Sequence, residues 1–322
     1  MSISVTQYKP VERETWERFV LKSNNGTIFH RQQFLDYHPP GRFQNHHLIF
    51  SHQRKTIALF PAVVRDEDGR KTLSSHPGAS FGGLVLPVDI GIVDVDALIK
   101  TLCAYGLKKG FQRIEMTLPP MIYLQRPNNY LDFCLFRHGF QYVKREVSSI
   151  IALNYSPERI LSTFKSESRT AVRKALRSGV LVKPSSDFET FYSILEKNLK
   201  LRHNVSPTHT SDELKRLKSL LTSDIRLFAA FLEGRMIAGM TVFVCNPRGV
   251  LAFYISHLED SQAYRPVNLL IYEVVKWALV RGFRYLDLGV FTVNMEPNWG
   301  LGRFKENFGA QGIFRDTLYI DL

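Results

Sequence analysis

Along residues 234–310 the apolar positions change period three times, and each change predicts a different element. GRMIAGMTVFV (234–244) opens on a glycine turn and runs into apolar and β-branched residues, the composition of a buried strand. VLAFYISHLED (250–260) is a second run, too apolar and too short for a surface helix. In SQAYRPVNLLIYEVVKWALVRGF (261–283), Leu269, Leu270, Val274, Trp277 and Ala278 recur at helical spacing, and Gly282 stands where the helix should stop. RYLDLGV (284–290) reads as a returning strand, and GLGRFKENFGA (300–310) closes the stretch. Two hairpin strands, a crossover helix and a further strand predict a sheet with a helix on its face. A strand that leads through a loop into a helix start also aims backbone N–H groups at one point, a natural seat for a phosphate.

The upstream chain has the same grammar. Residues 11–38 predict a helix containing Trp16 and Phe19, a Ser-Asn-Asn-Gly turn and a second helix near 32–37, ended by HPPG. Residues 46–71 predict two strands joined at 52–55 and closed by a DEDG turn. SSHPGASFGGLVL (74–86) is a Gly- and Ser-rich loop before a short strand. The helix DVDALIKTLCAYGLKKG, the strand FQRIEMTLPP, a polar loop near 126–130 and a long strand to Asn154 follow. From Ser156 the pattern restarts: Ser156 caps a helix with Pro157 in its first position and Gly179 as its stop. A short strand, a helix over 188–202, a polar loop at 203–210 and a helix near 213–221 lead back to the opening stretch.

The two halves rhyme. RKTIALFPAVV (54–64) corresponds to GRMIAGMTVFV, LKKGFQRIEM (107–116) to LVRGFRYLDL (279–288), and LFRHGFQ (135–141) to RFKENFGA (303–310). Three matches in one order predict a duplicated α/β domain with spans 1–154 and 155–322. Two unrelated α/β domains sharing helix-Gly-strand punctuation are the alternative.

Composition narrows the class. With 322 residues, 44% of them hydrophobic and 22% charged, the chain has room for two cored domains and is neither disordered nor fibrous. No run suggests a membrane span or a signal-peptide core, and the three cysteines stand singly; both point to a cytoplasmic location. The net charge of +12 is shared evenly by the halves, with a local concentration over 158–183. There Lys165, Arg169, Arg173 and Arg177 recur every four residues, opposite Leu161, Phe164, Val172 and Leu176. Such a stripe suits the phosphates of an RNA backbone or a nucleotide sugar, or is a solvated helix face. Tyr254 and Ser256 should share one face of their strand, Ile255 and His257 the other, which makes His257 either a general base or a satisfied strand-end histidine. His46, His47 and His52 do not have metal-ligand spacing, and no metal is expected.

Each half ends in helix, Gly-Phe, strand, loop and a Gly-Phe-like turn. That order resembles the GNAT acetyltransferase fold, and its duplication resembles the FemA/FemB/FemX group of peptidoglycan-bridge aminoacyltransferases. The SSHPGASFGGLV loop, the SRTAVRKALRSGV helix and GRFKENFG carry the likeness, over nearly the whole chain. The resemblance implies an α/β (α+β) protein of two tandem GNAT-like domains, each a mixed twisted sheet flanked by helices. It further implies an acyltransferase that binds no cofactor and moves an aminoacyl or acyl group to the amine of a bacterial cell-envelope precursor. Phe304 and Lys305 match a position that lines the transfer site, where a lysine ammonium would stabilise an oxyanion. Tyr254 and His257 complete the catalytic set. Arg265, Asn268, Lys165, Arg169 and Arg173 are placed with the donor, and His76, Gly78, Ser80 and Arg31 with a small-molecule or nucleotide-sugar acceptor.

One departure bears on the donor. An acetyl-CoA-dependent GNAT carries glycines in its pyrophosphate loop, whereas SQAYRPVNLL has none, so aminoacyl-tRNA is favoured over acyl-CoA. The alternatives are a CoA-dependent N-acyltransferase acting on an amino sugar or polyamine, and a catalytically silent GNAT-like protein that binds RNA or a nucleotide sugar. The oligomeric state is not written in the sequence.

Overall fold

The structure, a computed structural model, describes residues 2–67, 69–203 and 207–322. Asp68 of the expected DEDG turn and residues 204–206 of the expected 203–210 loop lie outside the described residues. Two compact units emerge, residues 1–146 with 314–322, and residues 147–313, where the sequence pattern suggests 1–154 and 155–322.

In the first unit, Ser4–Gln7, Leu48–His52 and Lys55–Phe60 form an antiparallel sheet. Ala62–Glu67 follows as a strand of its own, so the region expected to hold two strands holds three. Pro61, which has no N–H to offer a ladder, is the break. Ala62–Glu67 and Arg70–Ser75 pair antiparallel, and Arg70–Ser75 then runs parallel to Arg113–Thr117. The C-terminal strand pairs Thr317 with Thr117 and Asp321 with Arg113. The crossover helix Ile92–Lys108 buries Val95, Leu98, Ile99 and Leu102, the 3–4 spacing of a helix with one core face. Those side chains meet Phe60, Leu73, Ile114 and Leu135 in one core.

The second unit repeats the device. Its strands lie in the order Gln141–Ala152 (from Val147 on), Tyr285–Val290, Gly249–His257, Arg235–Asn246, Ile225–Leu232, Leu181–Ser185. The crossover helix Pro266–Val280 begins on a proline, whose missing N–H costs a first turn nothing. It buries Leu269, Leu270, Ile271, Val274, Val275 and Ala278, each worth about 1–3 kcal/mol by removal from water. It stops where Gly282 takes a φ of 78° and the Phe283 N–H returns to the Ala278 carbonyl. The repeat seen in the sequence is visible at each end: helix, left-handed Gly110, strand in one unit, and helix, left-handed Gly282, strand in the other.

The helix Ser166–Arg177 buries Ser168, Val172 and Ala175, which turns Lys165, Arg173 and Arg177 to solvent. One member of its expected apolar face is corrected: Leu176 is 50% exposed, because the core contact at that end is made by Ala175 and Val180.

Candidate active site

In the second unit two strands that run parallel come apart. Gly249, Val250 and Leu251 pair with Tyr285, Leu286 and Asp287, and beyond those residues the strands no longer pair with each other. Both depart from regular geometry at the parting. The Gly249–His257 strand shifts register against its other neighbour between Ala252 and Tyr254, a bulge at Phe253. Tyr285–Val290 shifts between Asp287 and Val290, where Gly289 has a φ of 76°. A split of this kind leaves edge backbone groups of residues 252–257 facing a gap, where an extended amide-bearing molecule can add as a strand.

The second strand is held open by side chains. Asp287 is buried, and its Oδ1 accepts hydrogen bonds from the Ser148 hydroxyl at 2.5 Å and from the Gly289 N–H at 2.7 Å. From the other side the Lys305 ammonium, also buried, donates to the carbonyls of Gly289 at 2.7 Å and Val290 at 2.9 Å. Burying an ammonium is costly unless such acceptors surround it. Lys305 lies on the helix Trp299–Glu306, whose position is fixed by Asn298: its side chain caps the Leu301 N–H at 2.9 Å and its own N–H reaches the Phe291 carbonyl at 2.8 Å. Gly302 sits against the Phe291 ring so closely that a Cβ would come within 3.1 Å of it. Phe304, one residue before the lysine, is half-buried with its ring edge-on to Phe308 at 5.1 Å.

Tyr254 and Ser256 do share a face of their strand. The Ser256 hydroxyl turns to the Ile194 carbonyl, and the Tyr254 hydroxyl lies 2.9 Å from Nδ1 of buried His209. Burial raises the Tyr254 pKa, partly opposed by hydrogen bonds from His209 and Thr208, so the phenol is protonated at neutral pH. Thr241, which pairs with Tyr254 across the ladder, is wholly buried and its hydroxyl has no hydrogen-bond partner. His257 ends the strand; its carbonyl takes the Asn198 side-chain N–H at 2.9 Å.

The loop before the crossover helix is wound rather than open. Glu259–Tyr264 forms a 3-10 helix, Ser261 N–H bonds back to Leu258, Arg265 N–H to Gln262, and Pro266 has no N–H. Arg265 itself is left-handed at φ 57°, an uncommon place for a residue other than glycine or asparagine, and is exposed. Asn268 is half-buried one turn further on, its N–H bonded to the Arg265 carbonyl. Lys165 stands 3.7 Å from Glu306 with both side chains largely exposed, and Arg169 turns back to the Phe164 carbonyl.

The residues expected to hold an acceptor lie in the first unit and are engaged there. His76 is buried, stacked on His38 at 5.2 Å and on His47 at 6.0 Å. Its Nδ1 accepts from the Gly78 N–H and its Nε2 lies 3.2 Å from Asn45 Oδ1; burial and the neighbouring histidines push its pKa down to about 2. A Cβ on Gly78 would strike His38 at 2.1 Å. Arg31 is held by Glu17 at 2.8 Å, and Ser80 is half-buried.

Asp287, Ser148 and His209 escaped the sequence reading. A lone aspartate followed by Leu-Gly inside an apolar strand was the available signal for Asp287; for the other two, no spacing distinguishes them from ordinary loop or strand residues.

Comparison with known proteins gives these features a setting. Residues 162–305 match the family described as Acetyltransferase (GNAT) domain, so the second unit carries an acyltransferase domain of that type. None of the curated proteins matches the sequence. Among solved structures, FemX superposes with a TM-score of 0.77 at 13% identity, covering 99% of this chain and 97% of its own. The C-terminal domain of a putative lysylphosphatidylglycerol synthetase from Agrobacterium fabrum gives 0.62 at 12% identity, covering 96% and 91%. A tandem GNAT protein from the clavulanic acid biosynthesis pathway gives 0.58 at 11%, covering 99% and 98%. At these identities the likeness is one of fold: tandem GNAT-like α/β units. No helix among the described residues is long and apolar enough to cross a membrane.

Proposed function

We propose that this chain, with its GNAT domain over residues 162–305, transfers an aminoacyl group from aminoacyl-tRNA to the amine of a cell-envelope precursor or a related acceptor. The observation that carries the choice of donor is the start of the crossover helix. A pyrophosphate cradle needs several backbone N–H groups free and close together. Here Ser261 and Arg265 spend theirs inside the 3-10 turn, and Pro266 has none. The exposed cations Lys165 and Arg173, with Arg169, Arg265 and Asn268, instead offer side-chain contacts to a phosphodiester backbone.

In this reading the donor's ester lies in the split between the two strands. The amine nitrogen attacks the ester carbonyl, forming the N–C bond, and the bond between the acyl carbon and the ribose oxygen breaks, so that the oxygen leaves with the ribose. The buried ammonium of Lys305 supplies fixed positive charge for the oxyanion, and Phe304 lines its approach. Tyr254, protonated at neutral pH and hydrogen-bonded to His209, gives its proton to the departing ribose oxygen; His257 or water takes the proton of the amine. Of the residues expected to hold the acceptor, Ser80 is half-buried in a loop shaped by His76 and Gly78, and Arg31 is taken up by Glu17.

An acyl-CoA donor is the second reading, favoured by the family match itself. Thermal stabilisation by charged tRNA and by acetyl-CoA separates the two, since a ligand at a hundred times its Kd adds about 2.7 kcal/mol. Stabilisation by charged tRNA alone supports the proposal, and stabilisation by acetyl-CoA alone overturns it. Lys305→Ala should then lower turnover about 100-fold or more with tRNA binding retained; a wild-type protein that binds charged tRNA without consuming it is a binding protein instead.

A further inference from the structure

Lys305 can hold two neighbouring carbonyls only because the strand beside it is bent at one residue. In a regular strand successive carbonyls point to opposite edges, so a single ammonium does not reach two that are adjacent in the chain. Gly289 and Val290 are adjacent, and both carbonyls accept from the Lys305 ammonium, at 2.7 and 2.9 Å. Gly289 makes the exception. Its φ of 76° takes the chain out of the extended form, and the pairing with Gln141–Ala152 slips by one residue across it, with Asp287 opposite Ile150 and Val290 opposite Ser148.

Glycine permits that conformation but does not choose it. The choice is made two positions earlier. The Asp287 Oδ1 accepts the Gly289 N–H at 2.7 Å, the turn an aspartate side chain forms with the residue two places on. The Ser148 hydroxyl donates to the same oxygen at 2.5 Å and so holds the carboxylate from the neighbouring strand. Gly289 thus lies between a buried carboxylate that takes its N–H and a buried ammonium that takes its carbonyl. Asp287 is 2% exposed and Ser148 1%, so neither is placed to touch a substrate. A carboxylate closed to solvent and already accepting two hydrogen bonds is no base for an incoming amine. What it controls is the place of the ammonium.

We propose that Asp287 is a positioning residue: by setting the left-handed turn at Gly289 it aims two carbonyls at Lys305 and fixes where the ammonium stands. Its effect on turnover rests on the reading above, in which that ammonium supplies charge for the oxyanion; its effect on Lys305 does not. The test treats the full chain with acetic anhydride and reads acetylation of Lys305 by mass spectrometry. Wild-type Lys305, buried and held by two acceptors, should react slowly. Asp287→Ala releases the Gly289 N–H and should raise the rate at least about tenfold, the scale of one lost hydrogen bond to a charged group. Asp287→Asn keeps an oxygen for that N–H and should stay close to the wild type, with Ser148→Ala between the two variants. Where the wild type consumes charged tRNA, the same order should appear in kcat with KM unchanged. That order bears the proposal out. Lys305 as slow to react in a folded Asp287→Ala as in the wild type overturns it. So does an Asp287→Asn as reactive as the alanine variant, which would place the effect in the charge and not in the hydrogen bond. If a circular-dichroism melt shows that Asp287→Ala does not fold, a Ser148→Ala no more reactive than Asp287→Asn overturns it instead. A wild type that consumes no charged tRNA, with the acetylation order as expected, overturns the transfer reading and leaves the place of Asp287 standing.

Discussion

The two units contain the same junction and use it in opposite ways. In each, three residue pairs hold two parallel strands together before a crossover helix: Thr72 to Ser74 with Arg113 to Glu115, and Gly249 to Leu251 with Tyr285 to Asp287. In the first unit the chain beyond the pairing folds back and closes the gap. The Ser75 hydroxyl accepts the Thr117 N–H at 3.0 Å, and the Gly82 N–H returns to the Thr117 carbonyl at 2.7 Å. Buried His30 holds the same loop, its Nε2 at 2.9 Å from the Gly82 carbonyl. In the second unit the ladder between the two strands ends at Leu251 and Asp287, and Asp287 is held by Ser148 while Lys305 holds the carbonyls of Gly289 and Val290. A duplicated fold thus yields one filled junction and one open one, and the open one lies within the acyltransferase domain.

Acid should separate the units most sharply. Burial lowers the pKa of His30 and of His47 to about 4 and of His76 to about 2, all three in the first unit. The unfolded chain takes up protons near pH 6.5 while these folded sites refuse them, so their stabilising contribution is whole above pH 6.5 and is lost as pH falls toward about 4. A tenfold difference in proton affinity between the folded and unfolded chain is worth about 1.4 kcal/mol, so the loss amounts to several kcal/mol. Hydrogen exchange read by mass spectrometry at pH 7 and pH 4.5 should show the His76 loop opening first; equal protection at both values would end the idea that the filled junction depends on neutral imidazoles.

Lys305→Ala comes next. It leaves the Gly289 and Val290 carbonyls without their buried donor, at about 1–3 kcal/mol each. The melting midpoint should fall and Lys305→Arg should restore part of it; an unaltered melt of the alanine variant contradicts the clamp. Ser75→Ala removes the hydroxyl that closes the first junction and should cost about 1–2 kcal/mol, with activity intact. Lost activity at undiminished stability would show that the filled junction takes part in transfer after all. The smallest effect belongs to Arg265→Gly, which relieves a left-handed arginine but loosens the unfolded chain, for a net change below about 1 kcal/mol. Its useful readout is acetyl-CoA affinity, which should stay negligible while Pro266 and the 3-10 turn remain.

Much of this could be read along the chain. Helical spacing in Leu269, Leu270, Val274 and Ala278, the stops at Gly110 and Gly282, and three ordered matches between halves were enough for a duplicated α/β fold, because period and punctuation are local properties. The glycine-free loop was equally plain. The lysine at 305 was visible as a charge near a turn, but not as a buried clamp, since its acceptors at 289 and 290 are brought to it by the packing of Gly302 on Phe291.

What the sequence determined alone, then, was the order of elements, the repeat and the basic stripe on the helix Ser166–Arg177. Which of two equivalent junctions stands open was decided only by tertiary structure. A hydrogen bond from Gly82 to Thr117, a carboxylate at Asp287 reached by Ser148 across 139 positions, and histidines stacked from three separate segments all depend on residues far apart in the chain. Their energies exist only once the backbone has brought buried polar groups within bonding distance of one another, and no local pattern encodes that distance.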